Sequence, residues 1–362
     1  MRKSAIIYCE GLFGSMDGKT ANGLIREPGY YEISAVIDST KCGLDAGEVL
    51  DGIKIGIPLC KNLEEALAIS NEKPTDFILG IAPSDAFLKA EERMAIFNAM
   101  KAGLNIINPL QEFLTEDEEM MNVANKYNVT IRDIRKPKPK KEWKLFSGGI
   151  LNMDTPIITI LGTDGACGKR TTAKILEKGF RERGYNPVFI ATGQTGLIQG
   201  AEYGFAIDAF PLQYLIGELE GEILRAYKNE NPDIIIVEGQ GALSHPASAS
   251  ACGILKGARP QAVNLQHPPK RKVLGDFPFM PIPDVQEEIE LIEHYGNTKV
   301  IAITLNHENM TDEEIDKTIA EYEKKFQLPV SDVLKKGDEK IIQAIIDFFP
   351  SLKEHAKVVG AL

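Results

Sequence analysis

The stretch Pro156-Ile157-Ile158-Thr159-Ile160-Leu161-Gly162-Thr163-Asp164-Gly165-Ala166-Cys167-Gly168-Lys169-Arg170-Thr171 decides how the rest of the chain is read. Its apolar first third predicts a strand, and Lys169 to Arg183 predicts a helix. A strand that turns through glycines into a helix leaves successive backbone N–H groups facing one hollow. The helix start adds roughly half a positive charge there, and Lys169 adds a full one. Such a nest wants a phosphate, and a diphosphate fits best. The pattern is a variant of Walker A: the strict spacing G-x-x-x-x-G-K-[ST] puts Gly at 163 and a hydroxyl residue at 170. Thr163 and Arg170 stand there instead.

Working outward on the C-terminal side, Asn186 to Thr192 reads as a strand ending in a flexible polar loop, Gly193-Gln194-Thr195-Gly196. A long helix runs from near Asp208 toward Lys228. Asp233 to Val237 is a continuous apolar strand of the kind buried on both faces of a parallel sheet. It delivers Glu238-Gly239-Gln240-Gly241, followed by Leu243-Ser244-His245-Pro246. An acid at such a strand tip works beside phosphates: Glu238 holds Mg²⁺, directly or through water, or accepts a proton. His245 is a candidate acid or base. Further strands are expected at Ala262 to Gln266, Lys299 to Leu305 and Leu328 to Val330, separated by helices.

On the N-terminal side, Ser4 to Cys9, Tyr31 to Asp38, Asp76 to Ala82, Asn105 to Asn108 and Val129 to Ile134 alternate with helical stretches. That is a βαβ series and implies a Rossmann-like parallel sheet. Asp38 sits where a ribose-binding acid would be, but Gly11, Gly14 and Gly18 do not make G-x-G-x-x-G. The loop Ser15 to Thr20 either lines a site or is plain surface. Lys136 to Gly149, with two prolines and four lysines among its first six residues, reads as a linker with a solvated charge run. The expected organisation is a Rossmann-like domain over 1–135, a linker over 136–150 and a P-loop NTPase-like, doubly wound α/β domain over 151–362.

Two domains also follow from 362 residues, since single cores stop growing near about 250–300. A net charge of −11 leaves no basic surplus for nucleic acid. The start of the chain has too short an apolar run for a signal peptide or membrane span, and five scattered cysteines suit a reducing compartment. A cytoplasmic protein with a small anionic substrate, no membrane partner and a homo-oligomeric state is expected.

Two resemblances arise from these motifs. GTDGACGK with the later VEGQGA resembles dethiobiotin synthetase and its relatives in the SIMIBI class of P-loop proteins. It implies ATP with Mg²⁺, the metal held by Glu238 and by Thr171, the first hydroxyl after Arg170. Thr171 points about 100° away from the position the family uses. The second resemblance spans nearly the whole chain. It rests on Gly18-Lys19-Thr20-Ala21 with Gly23-Leu24-Ile25-Arg26, Val36-Ile37-Asp38, Ile134-Arg135-Lys136-Pro137, the 162–171 turn, Glu238 to Gly241 with His245-Pro246, and Gly257-Ala258-Arg259-Pro260. These are similar to a two-domain bacterial and archaeal family long described as of unknown function and now associated with D-glutamate N-acetyltransferase.

The second resemblance implies acetyl-CoA, its diphosphate held by Gly162, Thr163, Asp164, Gly165, Ala166, Cys167, Gly168, Lys169, Arg170 and Thr171. Glu238 or His245 is then the base, and amides of the 239–242 turn hold the oxyanion. Arg135, Arg170 and Arg259 are candidate forks for an acidic amino acid, with Gln194 and Gln240 as further substrate contacts. The alternatives are an ATP-dependent ligase or kinase and a nucleotide-binding protein without turnover.

Overall fold

The computed structural model describes residues 2–70, 72–82 and 87–359, with side chains as far as Glu354. It divides into two units: residues 1–137 with 194–200, and residues 138–193 with 201–362. No helix among the described residues is long and apolar enough to cross a membrane.

The first unit is built on six strands, β1 (Lys3–Tyr8), β2 (Tyr31–Ile37), β3 (Leu59–Cys60), β4 (Asp76–Leu79), β5 (Asn105–Asn108) and β6 (Ile131–Asp133). All pair in parallel in the order β3-β2-β1-β4-β5-β6. This is the order of dinucleotide-binding sheets, with the reversal between β1 and β4. The central strands are apolar on both faces because helices cover both: β4 is buried throughout, as are the last four residues of β1. Short caps start and stop the helices. Asn62 Oδ1 accepts the Glu65 amide to open Leu63–Ile69, and Asp117 accepts the Met120 amide to open Glu118–Tyr127.

The polar run after residue 193, expected to be a loop, is a buried helix of this first unit, Gln194–Ile198. Ile198 joins the core of the first sheet, and Leu197 packs against it. Gln199 Nε2 donates to the Gly23 and Glu27 carbonyls at 3.2 and 2.5 Å, closing the end of the helix Lys19–Arg26. The polar composition hid two apolar anchors, and burying one isoleucine is worth about 2 kcal/mol.

The second unit holds β7 (Ile157–Gly162), β8 (Pro187–Ala191), β9 (Tyr203–Gly204), β10 (Ile234–Glu238), β11 (Ala262–His267), β12 (Lys299–Leu305) and β13 (Val330–Ser331). The order is β13-β12-β11-β7-β10-β8-β9, again all parallel. The first helix after β7, Lys169–Glu182, buries Thr172, Leu176 and Phe180 at four-residue spacing, the stripe that lays it on the sheet. The helices Ala46–Asp51, Glu118–Tyr127, Ser250–Ala258 and Pro350–Val359 and the two-residue strands β3 and β9 were not foreseen.

Residues 138–150 are not a free linker. They lie along the helix Leu212–Glu230, whose buried Glu218 and Glu220 accept their amides. Glu218 Oε1 takes Lys144 N–H at 2.5 Å and its Oε2 pairs with Lys138 at 2.7 Å. Glu220 takes the amides of Ser147 and Ile150. Trp143 rests on Phe210 and Tyr214, its indole N–H donating to the Lys138 carbonyl. The charge run includes a lysine with a buried partner because the segment's amides needed acceptors once packed.

Candidate functional site

Every strand of the second sheet runs the same way, so the carboxyl ends of β7, β8, β10 and β11 bring Gly162, Ala191, Glu238 and His267 to one edge. The phosphate turn starts from that edge. Ala166 and Gly168 take left-handed backbone, φ +46° and +105°, which curls the turn before the helix begins. Lys169 is buried at the helix start, and its ammonium folds back onto the Asp164 carbonyl, 3.5 Å from Cys167 Sγ. The turn thus runs from the strand into the helix with its lysine folded back onto its own loop.

The turn is braced from four sides by residues that carry no motif spacing. Asp164, buried, accepts its own Gly165 amide, the Gly275 amide and Arg271 at 2.7 Å. Arg271 also donates to the Gly165 carbonyl and grips Glu308 with two nitrogens at 2.9 and 2.7 Å. Asn306 donates to the Cys167 carbonyl. Thr163 Oγ1 meets His267 Nδ1 at 2.8 Å. Burial, with Arg271, Lys272 and Lys325 adding to it and Asp284 opposing, pulls the His267 pKa down to about 4, so the ring is neutral at physiological pH. Gln266 Oε1 accepts both Thr172 and Thr304 hydroxyls at 2.6 Å. One signal was available in sequence: the strand Ala262–His267 ends on two polar residues beside the P-loop strand.

Glu238 is buried at the tip of β10. Its Oε2 accepts the amides of Thr192 and Gly193 at 2.9 and 3.1 Å, and Gln240 donates to Thr192 Oγ1 at 3.1 Å. Burial pushes its carboxyl above the ordinary range, against the pull of those two amides and of the Arg170 and Lys169 charges. Gly239 can only be glycine, because a Cβ there would strike the Ile160 carbonyl of β7. The loop beyond it hangs on Glu288, whose buried carboxylate accepts Leu243 N–H at 2.5 Å and Ser244 Oγ at 2.5 Å. His245 is buried against Phe277, and its Nδ1 accepts the Ala247 amide at 3.3 Å. With Nδ1 accepting, Nε2 is the ring nitrogen left to donate.

The other expected residues divide. Arg170 is half-buried, its NH2 3.5 Å from Thr171 Oγ1, and its charge bears on Glu238. Arg259 is not brought to this edge: it ends the helix Ser250–Ala258 in left-handed backbone, ahead of β11 and hence at the amino end of the sheet. Arg135 and Gln194 belong to the first unit. Arg135 Nε donates to the Pro109 carbonyl at 2.5 Å, and burial lowers its pKa to about 10. Gln194 Nε2 lies 3.4 Å from Thr20 Oγ1. Asp38 makes no ribose site. Its buried carboxylate accepts Phe13 and Thr40 amides and pairs with Lys41.

The chain belongs to the DUF1611 family. Residues 144–342 match its P-loop domain, and 39–137 match its Rossmann-like N-terminal domain, both described as domains of unknown function. A crystal structure of a DUF1611 family protein from Anabaena variabilis superposes with a TM-score of 0.88 at 28% identity, covering 96% of this chain and all of that one. Two relatives are named D-glutamate N-acetyltransferase. One, from Pseudoalteromonas sp., is 30% identical over 274 residues, 74% of this chain and 80% of its own length. The other, from Tritonibacter scottomollicae, is 25% identical over 289 residues, 78% of this chain and 84% of its own.

Proposed function

We propose that this member of the DUF1611 family is an acyl-CoA-dependent N-acetyltransferase for an acidic amino acid such as D-glutamate. The observation that carries the reading is Arg170. A P-loop that hydrolyses or transfers phosphate through Mg²⁺ needs a hydroxyl directly after its lysine; this nest has a guanidinium there instead. The result is a stronger anion grip with a weaker metal seat, which suits a diphosphate that is held and not cleaved. The names of the two relatives point the same way.

In this reading the coenzyme A diphosphate sits on the 163–169 amides, and Lys169 leaves the Asp164 carbonyl to meet it. The substrate's free amine attacks the thioester carbonyl carbon. As the C–N bond forms, the carbonyl oxygen becomes an oxyanion, held by amides of the 239–242 turn. The ammonium proton passes to Glu238, whose raised pKa brings it nearer the working pH of a general base. Collapse breaks the C–S bond and expels the thiolate. In this reading His245, with its N–H on Nε2, offers a hydrogen bond to the departing thiolate, and the proton taken up by Glu238 is the one released. Arg170 receives a substrate carboxylate, and Gln240 is a further substrate contact; Arg259, at the other end of the sheet, has no part.

Calorimetric titration with acetyl-CoA, ATP and ATP plus Mg²⁺ tests this. Acetyl-CoA is expected to bind without metal and more tightly than ATP. ATP binding that requires Mg²⁺, with no heat from acetyl-CoA, would overturn the reading in favour of the ligase or kinase.

A further inference from the structure

The first unit contains a crevice that neither the P-loop chemistry nor the relatives' names account for. It has a volume of about 500 Å³ and opens at the carboxyl ends of β1 and β2, beside the reversal of the sheet. That is where open α/β sheets bind ligands, and the volume is that of a small-molecule site. Its floor is apolar, from Ile37, Phe77 and Ala95, with Met94 on one wall. Glu10 and Glu91 supply carboxylates, and Lys61 is exposed at its edge.

Tyr8 is the telling residue. It lines the crevice, is only 6% exposed, and its ring packs on Phe77 at 5.8 Å. Among the described residues its hydroxyl has no hydrogen-bond partner, and the oxygen is not among the buried unpaired ones, so it is open to the crevice. Burial and then the charges of Glu92, Glu10 and Glu91 push the hydroxyl's pKa upward, so it stays protonated in a field that welcomes positive charge.

We propose that this crevice binds a small organic ammonium with an apolar body. An ammonium has three donors, for the Tyr8 oxygen, Glu10 and Glu91, and the aromatic pair beneath adds cation–π attraction. The body lies on Phe77, Ala95 and Met94. Glu10 is already set, because Ser39 donates its amide to it at 2.9 Å and its hydroxyl as well. An anion would face the carboxylates, and a neutral hydrocarbon would leave the Tyr8 hydroxyl stranded. Diphosphates are disfavoured on the same ground, and Asp38 is committed elsewhere, so the crevice is not a dinucleotide site.

The test is titration of the full chain with phenethylamine, 2-phenylethanol and 3-phenylpropionate, which share a ring and differ in charge. The amine is expected to bind and the other two to give at least tenfold weaker binding. Tyr8→Phe and Glu91→Gln are each expected to lower amine affinity about tenfold; Glu91 is exposed, so that variant folds even if the first does not. No amine binding at millimolar concentration, equal binding of the alcohol or the carboxylate, or unchanged affinity in Glu91→Gln would overturn the proposal. Its outcome is separate from that of the acetyl-CoA titration.

Discussion

Arg271 reaches Asp164 at 2.7 Å from a loop more than a hundred residues downstream, and the same guanidinium holds Glu308. One cation thus ties the phosphate turn to the segment after β12. Both members of the inner pair are largely buried, and removing one leaves the other charge uncompensated. Arg271→Ala is expected to cost about 3 kcal/mol of stability, read by urea denaturation, and to weaken acetyl-CoA binding because the nest loses its shape.

Lys169→Ala removes the full charge of the nest while leaving its amides. Acetyl-CoA affinity is expected to fall at least a hundredfold in calorimetry. Unchanged affinity would show that the turn does not hold the ligand's phosphates.

Glu238 makes a prediction in pH. Its folded pKa lies above the ordinary carboxylate value, so the folded chain holds its proton more tightly than the unfolded one. This group's contribution is most favourable at low pH and declines as pH rises from the unfolded pKa through the folded one. Glu238→Gln is expected to flatten that decline in denaturation measured across the acid range. If Glu238 is the base, the same substitution lowers turnover by about 10²–10⁴, and the wild-type rate climbs with pH through the raised value.

His267 has the opposite sign. With its folded pKa near 4 and its unfolded value near 6.5, the unfolded chain binds the extra proton between them. Its contribution is intact above about 6.5 and is lost as pH falls toward 4, on the order of 1–3 kcal/mol. His267→Asn should remove this loss from the pH profile of stability, leaving other groups' contributions unchanged.

Glu218→Gln and Glu220→Gln together loosen residues 138–150. A neutral amide can still accept N–H bonds, but it gives up the Lys138 pair and the stronger charge-assisted bonds. Proteolysis within 138–150 is expected to speed up about tenfold or more, with a stability loss of about 1–3 kcal/mol.

How far the sequence carried the fold can be seen in particular strands. Ile157–Gly162 and Ile234–Glu238 are legible because buried parallel strands are apolar at nearly every position, and their parallel pairing brings the tips, Gly162 and Glu238, to one edge. The braces around them were not legible. His267, Arg271, Glu288 and Asn306 act on the site from distant segments at no fixed spacing, and only the closing of a parallel sheet brings them near. Arg259 misled because its neighbourhood in sequence matched a family motif while its role is to end a helix. Gln194 to Gly196 misled because glycine, threonine and glutamine look like loop until Leu197 and Ile198 are given a surface to cover.

The excursion of residues 194–200 has a practical bearing on anyone dissecting this chain. Cutting at Pro137 would not yield two self-sufficient halves, because the N-terminal piece would lack the Gln199 amide that finishes the helix Lys19–Arg26 and the isoleucine that plugs its core. The seven borrowed residues would meanwhile dangle from the other piece. An N-terminal fold moved between relatives would therefore have to carry that part with it.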